Sequence, residues 1–215
     1  MSWFETARRA AEPVYQEILR LPFIQELIAG TLPREKFIFY LQQDSHYLKN
    51  YMQVLAHIAS RVPGVEMTDL FLGFAKDCVA VETGMHASFL RDVGAAPAIS
   101  QACLLYTSVQ RAQALGDVAV EAASVLPCFK VYLDAGLYIF DKAKPLAGNP
   151  YEEWIATYSD TSFAEATEKA IAACDALAEQ ASPSVRNAMT DIYVLCTRME
   201  HLFWHSAYHL GKAEW

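Results

Sequence analysis

The sequence predicts an all-α bundle forming a single domain over residues 1–215. Three observations lead there. Apolar residues recur at three-and-four spacing in each segment between breakers, the alternation that marks a half-buried strand is absent, and no repeat, low-complexity stretch or linker divides the chain. At 215 residues, 53% of them hydrophobic, the chain can bury a large core without staples.

Ser2 with Glu5 is a capping box, and Phe4, Ala7, Ala11, Val14, Ile18 and Leu21 form the inward stripe of a first helix that Pro13 kinks. Pro22 opens a short second helix closed by Gly30. Pro33 opens a third, which runs to about residue 61, before Pro63 and Gly64. Phe37, Tyr40, Leu41, Tyr47, Leu48, Tyr51, Leu55 and Ile58 share one face of it. A fourth helix is expected over about 66–92, with Leu70, Phe74, Cys78, Val81, Met85 and Phe89 inward and Gly94 as its stop. After a loop bounded by Pro97 and Ser100, a helix covers about 103–115. Asp117 caps the next, which carries Pro127 inside it. That proline cannot bond to the Ala123 carbonyl, so the helix should bend and leave an acceptor free one turn before Cys128. Residues 143–150 form a loop, followed by a short helix with Trp154 and Tyr158 and another over about 161–179. Ser182 and Pro183 then open a last helix with the stripe Val185, Met189, Ile192, Cys196, Met199, Phe203, Ala207 and Leu210.

Composition excludes several classes. A net charge of -8 with 17 basic residues, none clustered, argues against a nucleic-acid partner. No apolar run reaches the length of a membrane span, and the opening MSWFETARR lacks the apolar core of a signal peptide. Five cysteines without a C-x-x-C pair encode neither a disulfide framework nor a zinc site. A soluble protein of the reducing cytoplasm is the expectation.

Two acids break the apolar pattern. Asp44 falls on the inward face of the third helix among Tyr40, Leu41, Tyr47 and Leu48, and a buried carboxylate requires a partner, either in the fold or in a ligand. Tyr40, Tyr47 and Tyr51 beside it suggest an aromatic-walled pocket with an anion at its floor, suited to a flat, nitrogen-rich molecule. Glu200, among Cys196, Met199, Phe203 and Trp204, is either a second interior acid or a surface glutamate at the interior edge. If interior, its carboxyl pKa rises toward the range where it can both give and take a proton. Cys78, Cys174 and Cys196 fit helix stripes as small hydrophobes, whereas Cys128 follows the proline and is either core or nucleophile. Glu82 and His86 form an i, i+4 pair that is solvated or metal-ligating. His201, His205 and His209 make an i, i+4, i+8 row whose ends lie ~12 Å apart, too far to share one ion.

Five stretches in order, LPREKFIFYLQQDSHYLKNY, LLYTS, LPCFKVY, WIATYSDTSF and MEHLFWHSAY, resemble the thiaminase II (TenA) family of the haem-oxygenase-like superfamily across nearly the whole chain. The resemblance implies a haem-oxygenase-like bundle that hydrolyses thiamine or aminomethylpyrimidine breakdown products to hydroxymethylpyrimidine for thiamine salvage, as a homotetramer without cofactor. It further implies that Asp44 holds the exocyclic amine of the pyrimidine, that Cys128 adds to a ring carbon, and that Glu200 moves a proton on a ring nitrogen with Tyr158 beside it. Tyr47, Tyr106, Tyr132 and Phe203 match pocket-wall positions. The chain retains the LPC cysteine of the thiol-dependent branch and departs from the family pattern at His46 and Lys130. Two other readings are a di-metal oxidase using Glu82, His86, Glu200 and a histidine of the last helix, and a non-catalytic regulator, which the acidic charge and absent basic helix disfavour. Haem oxygenase activity is disfavoured too, because the first histidine is His46.

Overall fold

The computed structural model describes residues 2–81, 84, 86–91, 93–94 and 96–212. Among them the only regular elements are helices: α1 Trp3–Arg20, α2 Pro22–Ala29, α3 Arg34–Ala59, α4 Val65–Val81, α5 Ala87–Leu90, α6 Gln101–Ala112, α7 Val118–Lys142, α8 Glu152–Tyr158, α9 Thr161–Gln180 and α10 Pro183–Tyr208, with a 3₁₀ turn at Gln113–Leu115.

Local chemistry sets most of the boundaries. The Ser2 hydroxyl accepts from the Glu5 amide while the Glu5 carboxylate accepts from the Ser2 amide, which completes the capping box. Ser100, Asp117, Asp160 and Ser182 cap α6, α7, α9 and α10 through their side-chain oxygens. Gly30 ends α2 at φ +68°, the left-handed conformation a helix stop requires.

The long helices α7 and α10 pack on each other at the centre. α1 lies along α10, α4 pairs with α3, and α9 flanks α7. α7 is long and apolar enough, by length and composition alone, to cross a membrane, which the sequence reading missed; two thirds of that window is buried inside the bundle. Its apolar surface serves the core.

The expected fourth helix is interrupted. α4 stops at Val81, Gly84 and His86 lie in a wider π-type turn, and α5 resumes at Ala87. Glu82, Met85 and Asp92 lie outside the described residues.

At one end of α3, the buried Glu121 of α7 accepts from Arg61 at 2.6 Å and pairs with His57 Nδ1 at 2.8 Å, joining α3 to α7. A closer contact occurs at Gly136. A Cβ there would stand 2.4 Å from the Tyr158 carbonyl oxygen and 2.7 Å from its carbon, so only glycine lets the C-terminus of α8 rest on α7. Gly136→Ala must push backbone away, and we expect a loss of about 2–3 kcal/mol, read from urea unfolding midpoints. Because Tyr158 moves with that backbone, pocket binding should weaken as well.

Candidate active site

Four helices deliver the site. Asp44 is 3% exposed on α3 and Glu200 1% exposed on α10, so both acids are interior, while the half-buried Cys128 sits on α7 just past Pro127. A cavity of about 370 Å³ is lined by Asp44, Cys128, Tyr132 and Tyr158, and continues outward past Cys78, Asp77 and Phe163. Asp44, Cys128 and Glu200 lie within electrostatic reach of one another.

The proline organises the thiol. Side chains claim two carbonyls of the turn before it: Tyr51 donates to Val125 O at 2.9 Å and Gln110 Nε2 to Ser124 O at 3.2 Å. These lie one and two residues beyond the Ala123 acceptor that the sequence indicated. Gln110 Nε2 also donates to the Tyr47 hydroxyl at 3.0 Å. The Ser124 carbonyl fixes which way the amide points, because only N–H can face it. The Tyr47 oxygen therefore accepts from Gln110, leaving its own proton to be shared between the Cys128 sulfur and the Tyr106 oxygen. Gln110 is fully buried. The sequence reading did not single it out, and the only trace is a glutamine one turn after the LLYTS tyrosine.

Burial, then Glu200 and Asp44, push the Cys128 thiol well above its ordinary range, while the Tyr47 hydroxyl bond works the other way. Burial raises Glu200 to about 8, against a bond from Tyr106, with Asp44 adding to the rise. Both groups are neutral at pH 7: one is a carboxylic acid ready to give a proton, the other a thiol that must lose one.

The hydroxyl bonded to Glu200 is that of Tyr106, at 2.7 Å, a residue matched only to the pocket wall. Tyr158 packs on Tyr132 and Trp154, with ring centroids 4.9 and 4.7 Å away, and lies within electrostatic reach of Glu200. Tyr132 accepts from Tyr40 and from Trp204 Nε1, both at 3.1 Å, so its own proton is left for the cavity it lines. Phe203 packs 6.0 Å from Tyr47 and Tyr47 4.8 Å from Tyr106; these three expected wall residues, with Glu200, stand behind the cavity's lining, which Tyr132 and Tyr158 join.

Asp44 faces His86 in the fold, Oδ2 lying 3.0 Å from Nε2, but neither of these two buried atoms completes a hydrogen bond. Lys130 pairs with Asp134, which also faces Arg8 of α1, so it does not serve the thiol. His46 reaches the Pro97 carbonyl at 3.0 Å, and Gln43 holds Ala98 and Ser100, so these polar residues of α3 pin the loop before α6. His201 and His205 stack with ring centroids 6.1 Å apart, outside the cavity's lining. Among the described residues, no three His, Cys, Asp or Glu side chains converge as a metal set, and Glu82 of the di-metal reading lies outside them.

Residues 8–210 match the model of the TENA/THI-4/PQQC family. The chain belongs to this family. It is 30% identical over 217 residues to the aminopyrimidine aminohydrolase of Bacillus subtilis (strain 168), covering 97% of this chain and 90% of that one. It is also 34% identical over 207 residues to the thiamine biosynthesis multifunctional protein ThiED of Corynebacterium efficiens, covering 94% of this chain but only 28% of that protein. Among solved structures, a TenA homologue from P. horikoshii OT3 superposes with a TM-score of 0.86 at 26% identity, over 98% of this chain and 100% of that one. A domain of unknown function with a heme oxygenase-like fold, from Shewanella denitrificans OS217, superposes at 0.72 with 14% identity over 96% of this chain and 92% of that one. That likeness confirms the fold expected for this TENA/THI-4/PQQC member.

Proposed function

We propose that the chain is an aminopyrimidine aminohydrolase of thiamine salvage, acting on aminomethylpyrimidine breakdown products or on thiamine and releasing hydroxymethylpyrimidine. One observation carries this reading: Cys128 and Asp44 line one cavity with Tyr51, Tyr132 and Tyr158, and the interior carboxyl of Glu200, held protonated by burial, lies behind that lining within electrostatic reach of both. The named activity of the Bacillus subtilis relative supports it.

Asp44 holds the exocyclic amine, and Glu200 gives its proton to a ring nitrogen as Cys128 sulfur bonds to the adjacent ring carbon. The thiol proton returns to Glu200, so the step is net addition of S–H across C=N. With aromaticity broken, the ring electrons expel the amine or thiazole from the side-chain methylene. Water adds to that carbon, and departure of the thiol restores the ring. The balance is substrate plus water giving alcohol plus the displaced amine or thiazole.

Homotetrameric assembly and a cytoplasmic location belong to the same proposal. The resemblance to the thiaminase II family implies the first, and five unpaired cysteines support the second. The test is to incubate the purified protein with the aminomethylpyrimidine and with thiamine, following hydroxymethylpyrimidine by chromatography. Steady production from either supports the reading, and production from neither ends it.

A further inference from the structure

Asp44 is not alone at the floor of the cavity. His86 Nε2 lies 3.0 Å from Asp44 Oδ2, and the other ring nitrogen, Nδ1, lies 3.0 Å from the Ser45 hydroxyl. Both partners are interior, His86 at 1% exposure and Asp44 at 3%. A lone pair on Nε2 facing a carboxylate oxygen at that range is repulsive, so the carboxylate selects the tautomer with its proton on Nε2. Nδ1 then accepts from Ser45. The three side chains form a directed chain, Ser45 to His86 to Asp44.

Close as they are, Nε2 and Oδ2 do not complete an aligned hydrogen bond, and both are buried atoms without one. The torsion that would align them is the carboxylate rotor of Asp44, which is soft. His86 comes to Asp44 from the π-type turn it shares with Gly84, between α4 and α5.

We propose that His86 is a positioning residue that locks the Asp44 carboxylate for the amino group of the pyrimidine, with Ser45 fixing the tautomer of His86. This rests on the aminopyrimidine reading of the site. His86 acts through Asp44 and determines specificity for a ring that bears an exocyclic amine over one that lacks it.

The experiment compares the wild type with His86→Leu, His86→Gln and Ser45→Ala. It measures kcat/KM on the aminomethylpyrimidine, and by calorimetry the binding of hydroxymethylpyrimidine and of its analogue without the ring amino group. His86→Leu should lose about 30–100-fold in kcat/KM, and its preference for the amino ligand should shrink about tenfold. His86→Gln, which keeps a donor near the Nε2 position, should recover to within about fivefold of wild type. Should the leucine variant not fold, Ser45→Ala must still reduce the amino preference by about threefold to tenfold. Unchanged preference in the leucine or Ser45→Ala variant, or glutamine no better than leucine, overturns the proposal. Failure of the wild type to bind or turn over any aminopyrimidine would instead remove the reading beneath it.

Discussion

Replacing Cys128 with serine should lower kcat/KM by at least about 10³-fold, roughly 4 kcal/mol of barrier at 1.36 kcal/mol per decade. A hydroxyl is a far weaker nucleophile than a thiolate, and the other thiol along the cavity, Cys78, is pushed up to about 12 by burial. Serine preserves size and position, so hydroxymethylpyrimidine should bind with an affinity within about threefold of wild type. A loss confined to turnover is the signature of a bond made only during reaction. Mass spectrometry of the wild type quenched during turnover should show a pyrimidine adduct on Cys128, absent from the variant. Turnover near the wild-type rate in Cys128→Ser would reject the nucleophile assignment.

Glu200→Gln is the second large effect, with an expected loss of about 10²–10³-fold, because glutamine accepts the Tyr106 bond but has no acid proton to give. In the wild type, kcat/KM should fall as pH rises through about 8, where the free enzyme's Glu200 loses that proton. The variant should lack this descending limb. Stability falls over the same rise in pH. The folded-state pKa of Glu200, about 8, is above its ordinary 4.5, so the native state binds the extra proton between these values. Stability from this group is therefore complete below pH 4.5 and is lost progressively up to about pH 8. Glu200→Gln should match wild type near pH 4 and exceed it by roughly 3–5 kcal/mol at pH 8–9, measured by urea unfolding across pH. Equal stability of the two at pH 9 would mean that the carboxyl is not held neutral by burial.

Much of the fold was legible because its determinants are local. A hydroxyl or carboxylate at Ser2, Ser100, Asp117 or Ser182 caps the amides next to it whatever the rest of the chain does. The inward stripe of α3 likewise announced Asp44 as interior, and the stripe of α10 placed Glu200 at its edge. What stayed hidden depends on residues distant in sequence. Gln110 looks like a surface glutamine until Tyr47 and Ser124 are placed against it. His86 reads as one of an i, i+4 pair with Glu82, and only the break after Val81 and the approach of α3 make it the neighbour of Asp44. Gly136 carries no mark of its own, since the demand for a missing Cβ comes from the Tyr158 backbone. The tyrosine that serves Glu200 was visible as one of several wall positions, but which hydroxyl reached the carboxyl was a matter of helix rotation, which periodicity does not resolve.

The aromatic array behind the cavity makes the pocket self-reporting. Trp154 and Trp204 are fully buried with ring centroids 6.4 Å apart; Trp154 abuts Tyr158, and Trp204 abuts Tyr132 at 5.3 Å. Trp3 lies elsewhere, on α1 against Tyr193. Indole emission from this pair is thus coupled to the two tyrosines that line the cavity. A heteroaromatic ring stacked there acts as a quencher, so occupancy can be titrated in the untagged, unlabelled protein by its intrinsic fluorescence.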